Sequence, residues 1–93
     1  MAQISQQENS WLISGDVVIG TAKTILDDSE KLTLSPNMAV DFSKVNDIDT
    51  TAISLILEWK RRAAKQNATI SAVNLPENLT SLVNLYGVRE LIN

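Results

Sequence analysis

The sequence predicts an α/β domain: a four- to five-stranded mixed sheet with about three helices packed against it. Three observations predict it. Stretches of strand length, short and apolar or alternating, take turns along the chain with stretches of helical period. The most apolar run, Ala52-Ile53-Ser54-Leu55-Ile56-Leu57, lies in the middle of the chain, as a deeply buried helix requires. At 93 residues there is material for one modest core and not for two, so residues 1–93 are read as a single domain.

Each element follows from its own residues. Gln3–Gln7 and Trp11–Ser14 read as two short strands, and Glu8, Asn9 and Ser10 between them predict a hairpin turn. Gly15-Asp16 predicts the end of the second strand. From Thr21 to Leu32, Ala22, Ile25, Leu26 and Leu32 fall at helical spacing, with Ser29 a gap in the stripe. Lys23, Asp27, Asp28, Glu30 and Lys31 lie on the other side, which predicts an amphipathic helix. After a loop at Leu34–Asn37, Met38–Phe42 is a short apolar run with one acid, the pattern of a central strand buried on both faces. A second helix is expected from Thr50 or Thr51 to Lys65 or Gln66, with Gln66-Asn67 ending it. Ala68–Leu75 reads as a strand. Pro76 suits the first turn of a third helix, Leu79, Leu82, Val83 and Tyr86 give its buried stripe, and Gly87 is the expected left-handed residue after it. Val88–Ile92 is expected to be a short strand or tail. The order β-β-α-β-α-β-α-(β) implies right-handed crossovers. Trp59, at helical spacing, reads as core.

Composition narrows function. The chain contains neither cysteine nor histidine, so thiol chemistry, disulfides and the usual general base are excluded. A net charge of −3 argues against nucleic acid as a partner. The one basic cluster, Lys60, Arg61, Arg62 and Lys65, reads as the charged last turns of a helix, complementing its dipole. The N-terminus lacks the basic start and apolar core of a secretory signal, and no apolar run approaches a membrane span. A cytoplasmic location is expected, with membrane contact only through a membrane-embedded partner.

The candidate site is Asn46–Trp59, where Asp47, Asp49, Thr50 and Thr51 stand directly before the apolar helix. As a nucleophile, Thr50 or Thr51 would need Asp41, Asp47, Asp49 or a lysine as base. The three acids could also form an oxygen-rich magnesium site. Their spacing matches no defined ligand loop, and no glycine-rich phosphate cradle is present among Gly15, Gly20 and Gly87. No nucleophile–base–stabiliser set is complete, so no catalytic residue, metal or cofactor is expected. What remains is a helix start with Asp49 or Thr50 as its cap. It presents a hydroxyl at the positive end of a helix dipole, where an added phosphate would meet orphan N–H groups and place about −1.5 to −2 charges beside Asp47 and Asp49.

The run from Met38 to Leu57, in this element order, resembles the STAS domain, the fold of bacterial anti-sigma-factor antagonists. Asp41-Phe42-Ser43 is similar to the family's Asp-Leu-Ser strand end. Ile48-Asp49-Thr50-Thr51-Ala52-Ile53 resembles its apolar-x-Asp-Ser-Ser-Gly-Leu helix start, and Asn74-Leu75-Pro76 resembles its Asn-Leu-Pro before the last helix. The family's phosphorylatable hydroxyl falls on Thr50. Three departures stand out: Thr50 in place of Ser, Ala52 in place of Gly, and an Asp-Val-Val-Ile-Gly-Thr-Ala segment without the usual acid. Together with Leu82–Val88, they shift the resemblance towards the small STAS subunits of Mla-type phospholipid ABC transporters, which serve outer-membrane lipid asymmetry. The resemblance implies a non-catalytic protein that binds the transporter's cytoplasmic ATPase subunit, in a complex with permease and substrate-binding subunits at the inner membrane. Asp49, Thr50, Thr51, Ile53, Ser54 and Leu57 are the residues it implies at the partner surface. The alternative is an anti-sigma-factor antagonist regulated by phosphorylation at Thr50.

Overall fold

The computed structural model describes residues 2–87. It contains β1 (Gln3–Gln7), β2 (Ser10–Val17), α1 (Ile19–Ser29), β3 (Asn37–Ile48), α2 (Thr51–Lys65), β4 (Thr69–Val73) and α3 (Glu77–Tyr86). The strands form one sheet in the order β1-β2-β3-β4. β1 and β2 pair antiparallel as the expected hairpin, closed at Gln7 and Ser10, whereas β2–β3 and β3–β4 are parallel. The two crossovers between parallel strands run in the same direction, and α1 and α2 pack against each other. The expected terminal strand at Val88–Ile92 and the Tyr86 side chain lie outside what is described.

Three expectations about β2 and β3 are corrected. β2 does not end at Gly15-Asp16 but continues to Val17. Gly15 takes φ 87 and sits at the first of two neighbouring pairs between which the register against β3 shifts. A glycine adopts that backbone without strain, so the irregularity is absorbed inside the strand. β3 likewise runs past Phe42 to Ile48, because Lys44, Val45 and Ile48 stay paired with Ser14, Gly15 and Val17. Nor is β3 buried on both faces. Met38, Val40 and Phe42 are buried, whereas Ala39 and Asp41 are half-buried, the alternation of a sheet with one face in the core.

α1 starts at Ile19, before the expected Thr21, for a local reason. The Thr21 hydroxyl donates to the Asp16 carbonyl at 2.7 Å and accepts the Val18 N–H at 3.2 Å, so Thr21 closes the first turn from within the helix. Ser29, expected to be a gap, is instead fully buried. Its hydroxyl donates to the Leu26 carbonyl at 2.6 Å and accepts from Trp59 Nε1 at 2.9 Å. Trp59 is 1% exposed, so the core reading of this residue holds. It meets Trp11 edge to face, with ring centroids 5.8 Å apart. Around this pair one cluster joins Ile13, Ile25, Phe42, Ile56, Leu79 and Val83 with the remaining core residues.

The basic cluster is dispersed, as consecutive helical residues must be. Arg62 donates to the Ser29 and Leu32 carbonyls at 2.8 and 3.1 Å and lies 5.7 Å over the Trp11 ring. Arg61 pairs with Glu58, and Lys60 Nζ donates to the Ile70 carbonyl at 3.0 Å. α2 ends before Asn67, at φ 55, and α3 before Gly87, at φ 66, the left-handed residue that the sequence predicts. Pro76 precedes α3 as its cap residue, with its carbonyl accepting from Leu79 and Thr80 at 3.0 Å each.

Candidate docking surface

Parallel strands β2 and β3 deliver α1 and α2 from the same end of the sheet. Asp49 stands where the two helix starts meet. Its N–H donates to the Val17 carbonyl at 3.1 Å, which fixes its backbone to the end of β2. Its carboxylate then serves both helices: Oδ1 accepts the Thr51 N–H at 2.8 Å and Oδ2 accepts the Ile19 N–H at 3.1 Å. Orphan donors at two helix termini are thereby satisfied by one side chain, with negative charge at the positive end of both dipoles. Partial burial works against the ionised carboxylate. The hydrogen bonds from the Thr51 hydroxyl and N–H and from the Ile19 N–H outweigh it, holding Asp49 below its ordinary pKa of 3.8.

Of the two cap candidates the structure selects Asp49. Thr50 is already helical, at φ −63 and ψ −16, and its side chain makes no capping bond. Its side chain is exposed beside that cap. We therefore expect Asp49→Ala to cost about 2 kcal/mol, the upper end of the range for a single cap. Thr50→Ala should stay within about 0.5 kcal/mol, as for a surface substitution without a special contact. Urea melts of the two variants followed by far-ultraviolet circular dichroism compare them directly, and equal costs would contradict the assignment.

The other expected partner residues are placed unequally. Ser54 is exposed and follows Thr50 by one turn, while Thr51 and Leu57 are half-buried. Ile53 is 8% exposed and belongs to the core, so it backs the surface from beneath. Asp41 is not brought to this place. It accepts the Ser43 N–H at 2.8 Å and the Asn74 Nδ2 at 3.1 Å, clipping the turn that leads from β4 to α3. The Ser43 N–H is the main cause that lowers its pKa, against the opposing effect of burial. Asp47 accepts the N–H of the adjacent Ile48 at 3.0 Å. Among the described residues no three acids stand close enough together to hold a metal ion.

Both lowered carboxylates bear on acid stability. A depressed native pKa means that the unfolded state binds protons more readily, so stability is fully present above the ordinary value and falls as protons bind below it. Since Asp41 and Asp49 are both lowered from 3.8, thermal melts should be flat near neutrality and lose stability below about pH 4. The double variant Asp41→Asn/Asp49→Asn should flatten that acid limb.

The sequence pointed to α2 alone, yet the surface has a second side. Between α1 and α2 runs an open groove of ≈ 350 Å³ beside Thr51 and Ser54, with Ala22, Leu26 and Leu55 as its apolar lining. At its head Ile19 is 82% exposed, next to the Asp49 carboxylate that holds its N–H. Ile19 lay outside the expected helix, and nothing in the α1 stripe tells that α2 leaves part of it uncovered.

The fold resembles several known structures. The anti-sigma factor antagonist SpoIIAA in its unphosphorylated form superposes with a TM-score of 0.66 at 11% identity, covering 91% of this chain and 83% of that one. A sulfate transporter family protein from Wolinella succinogenes gives a TM-score of 0.70 at 17% identity, covering 91% and 70%. The phosphorylated form of the Bacillus cell fate determinant SpoIIAA gives 0.65 at 11% identity, covering 100% and 89%. At such identities the likeness establishes the fold. Among curated proteins no significant sequence match is found. The family described as "Mlab, STAS domain" matches residues 2–93, essentially the whole chain, and the protein therefore belongs to the STAS domain family.

Proposed function

We propose that this protein is a non-catalytic STAS subunit that binds the cytoplasmic ATPase of an Mla-type phospholipid ABC transporter and supports its assembly and activity. The observation that carries the reading is the Asp49–Thr50 joint. Asp49 fixes two helix starts with one carboxylate, and Thr50 beside it stays exposed on a backbone that cannot easily move. A rigid, exposed polar point flanked by Ser54 and Ile19 suits recognition, because little order has to be gained on binding. The family description favours the transporter over other uses of this fold. In this reading Asp49, Thr50, Thr51, Ser54 and Leu57 face the ATPase, with Ile53 supporting them. Contact with the membrane is indirect, through permease and substrate-binding subunits, and the protein works at the cytoplasmic face of the inner membrane. No helix among the described residues is long and apolar enough to cross a membrane.

The test is affinity capture of the tagged protein from native membranes. Recovery of an ABC ATPase with its permease supports the reading. Recovery of a soluble kinase-like protein instead selects the second reading, an antagonist released by phosphorylation of Thr50. That alternative has its own support in the exposed Thr50 side chain, which makes no capping bond. Incubation with the captured kinase and ATP, followed by mass spectrometry, then decides whether Thr50 is modified.

A further inference from the structure

β1 is the edge strand of the sheet, and among the described residues β2 is its one partner. The turn at Glu8 and Asn9 closes on the pair Gln7↔Ser10, with Leu12 opposite Ser5 and Ser14 opposite Gln3. The Asn9 carbonyl accepts the Ala39 N–H at 3.1 Å and so points to β3. No peptide bond is cis, and in a trans peptide the following N–H points the other way, so the Ser10 N–H points to β1. By alternation Leu12 and Ser14 also turn their main-chain groups to β1, and they exchange hydrogen bonds with Ser5 and Gln3. The N–H and C=O of Ile4 and Gln6 are therefore directed away from β2, along an open edge.

Natural sheets blunt such an edge with charge, proline or a bulge. Gln3–Gln7 contains no charged residue, proline or glycine, and its register with β2 is unbroken. The strand is also held in place. The Gln6 side chain accepts the Thr33 N–H at 2.7 Å and donates to the Thr33 carbonyl at 3.1 Å, while Ile4 packs against the core. A strand fixed in this way has little order to gain on binding.

The residues of β1 match those of a second β1 running the opposite way. About a two-fold axis at Ser5, Ile4 of one copy lies opposite Gln6 of the other. The outward groups of both copies then meet in four hydrogen bonds, whereas an axis at Ile4 or at Gln6 matches only half of them within Gln3–Gln7. On the solvent face Ser5 meets Ser5 and Gln3 meets Gln7, which are pairs able to hydrogen-bond, and no like charges stand opposite each other. We infer that the protein pairs with a second copy of itself through the open edge of β1, antiparallel and with the two-fold axis at Ser5, so that the two sheets become continuous. A two-fold contact demands such a self-complementary element. Five residues a side make a small interface, so the dimer is weak and its population rises with concentration. The contact uses no residue of the Asp49–Thr50 joint and stands or falls apart from the docking reading.

The chain contains no cysteine, so one introduced thiol is a clean probe. Residues opposite each other in a non-hydrogen-bonded antiparallel pair have Cα atoms about 4.5 Å apart, within disulfide reach. Under mild oxidation Ser5→Cys should form a covalent dimer. Gln3→Cys and Gln7→Cys should each stay largely monomeric alone and crosslink to each other when mixed. Sedimentation velocity of the wild type from about 10 µM to about 1 mM should show a monomer–dimer equilibrium. Ser5→Lys sets two ammonium groups face to face at the axis and should weaken that equilibrium at least ~10-fold. Because Ser5 is exposed, the melting curve of Ser5→Lys at low concentration should match the wild type. A wild type that stays monomeric throughout, a dimer that Ser5→Lys leaves intact, or Gln3→Cys crosslinking to itself as readily as Ser5→Cys would each overturn the inference. So would a photo-crosslinker at position 5 that joins only a segment of another protein in native extract. If Ser5→Lys fails to fold, the disulfide pattern decides.

Discussion

On the proposed docking reading, Thr50→Glu is expected to abolish binding of the transporter ATPase while leaving the domain folded. The substitution puts a carboxylate on an exposed side chain beside Asp49 and Asp47. Like charge brought into a contact is costly, and a loss of at least ~100-fold, about 2.7 kcal/mol, is the expected size. The fold is spared for an independent reason. Thr50 makes no capping bond, and a carboxylate in the first turn of a helix is favoured by its dipole. Its urea midpoint should therefore match that of the wild type, and titration against the purified ATPase reads the binding. Wild-type affinity would remove Thr50 from the interface. An unfolded variant would mean that the Asp49–Thr50 joint is more strained than its hydrogen bonds indicate.

Trp59→Ala should produce the largest loss of stability of any substitution discussed. The side chain is 1% exposed, contacts Trp11 at 5.8 Å between ring centroids, and donates Nε1 to Ser29. Removing a buried indole costs about 3–5 kcal/mol through lost transfer energy and the cavity left behind. Against a typical total of about 5–15 kcal/mol, that loss leaves a small domain near its folding threshold. Trp59→Phe separates the components, because it retains most of the ring burial and gives up only the indole donor. It should lose about 1 kcal/mol for the hydrogen bond, plus a packing cost well below that of Ala, since the Ser29 hydroxyl keeps its bond to Leu26. Denaturant melts of the two variants measure the difference. A cost below about 1.5 kcal/mol for Trp59→Ala would show that the core tolerates collapse around the site.

The order of elements was legible because it depends on period, and period is a local property. Ala52 to Leu57 announced a buried helix, and Gly87 announced the left-handed residue after α3. What escaped was whatever depends on a residue far along the chain. Ser29 looked like a defect in an apolar stripe, because its partner Trp59 is 30 residues away. Gly15 looked like a strand end, because only the neighbouring β3 explains how an irregular strand stays paired. Asp49 and Thr50 were equally good caps by type. The choice between them comes from the Ile19 N–H, whose position no spacing near Asp49 reveals. The same holds for the candidate surface. Its α2 half, Asp49, Thr50 and Ser54, is proposed from the sequence, whereas its α1 half required knowing which part of an apolar stripe goes uncovered.

The placement of the two indoles has a practical consequence. The chain contains only two tryptophans, and both lie in the core, touching each other beneath Arg62. Intrinsic fluorescence therefore reports on the interior and is silent about the joint at Thr50. An emission spectrum that stays unchanged while ATPase affinity collapses certifies a surface effect. A red-shifted one shows that the interior has opened. The protein thus contains its own optical control for every substitution on the proposed docking face.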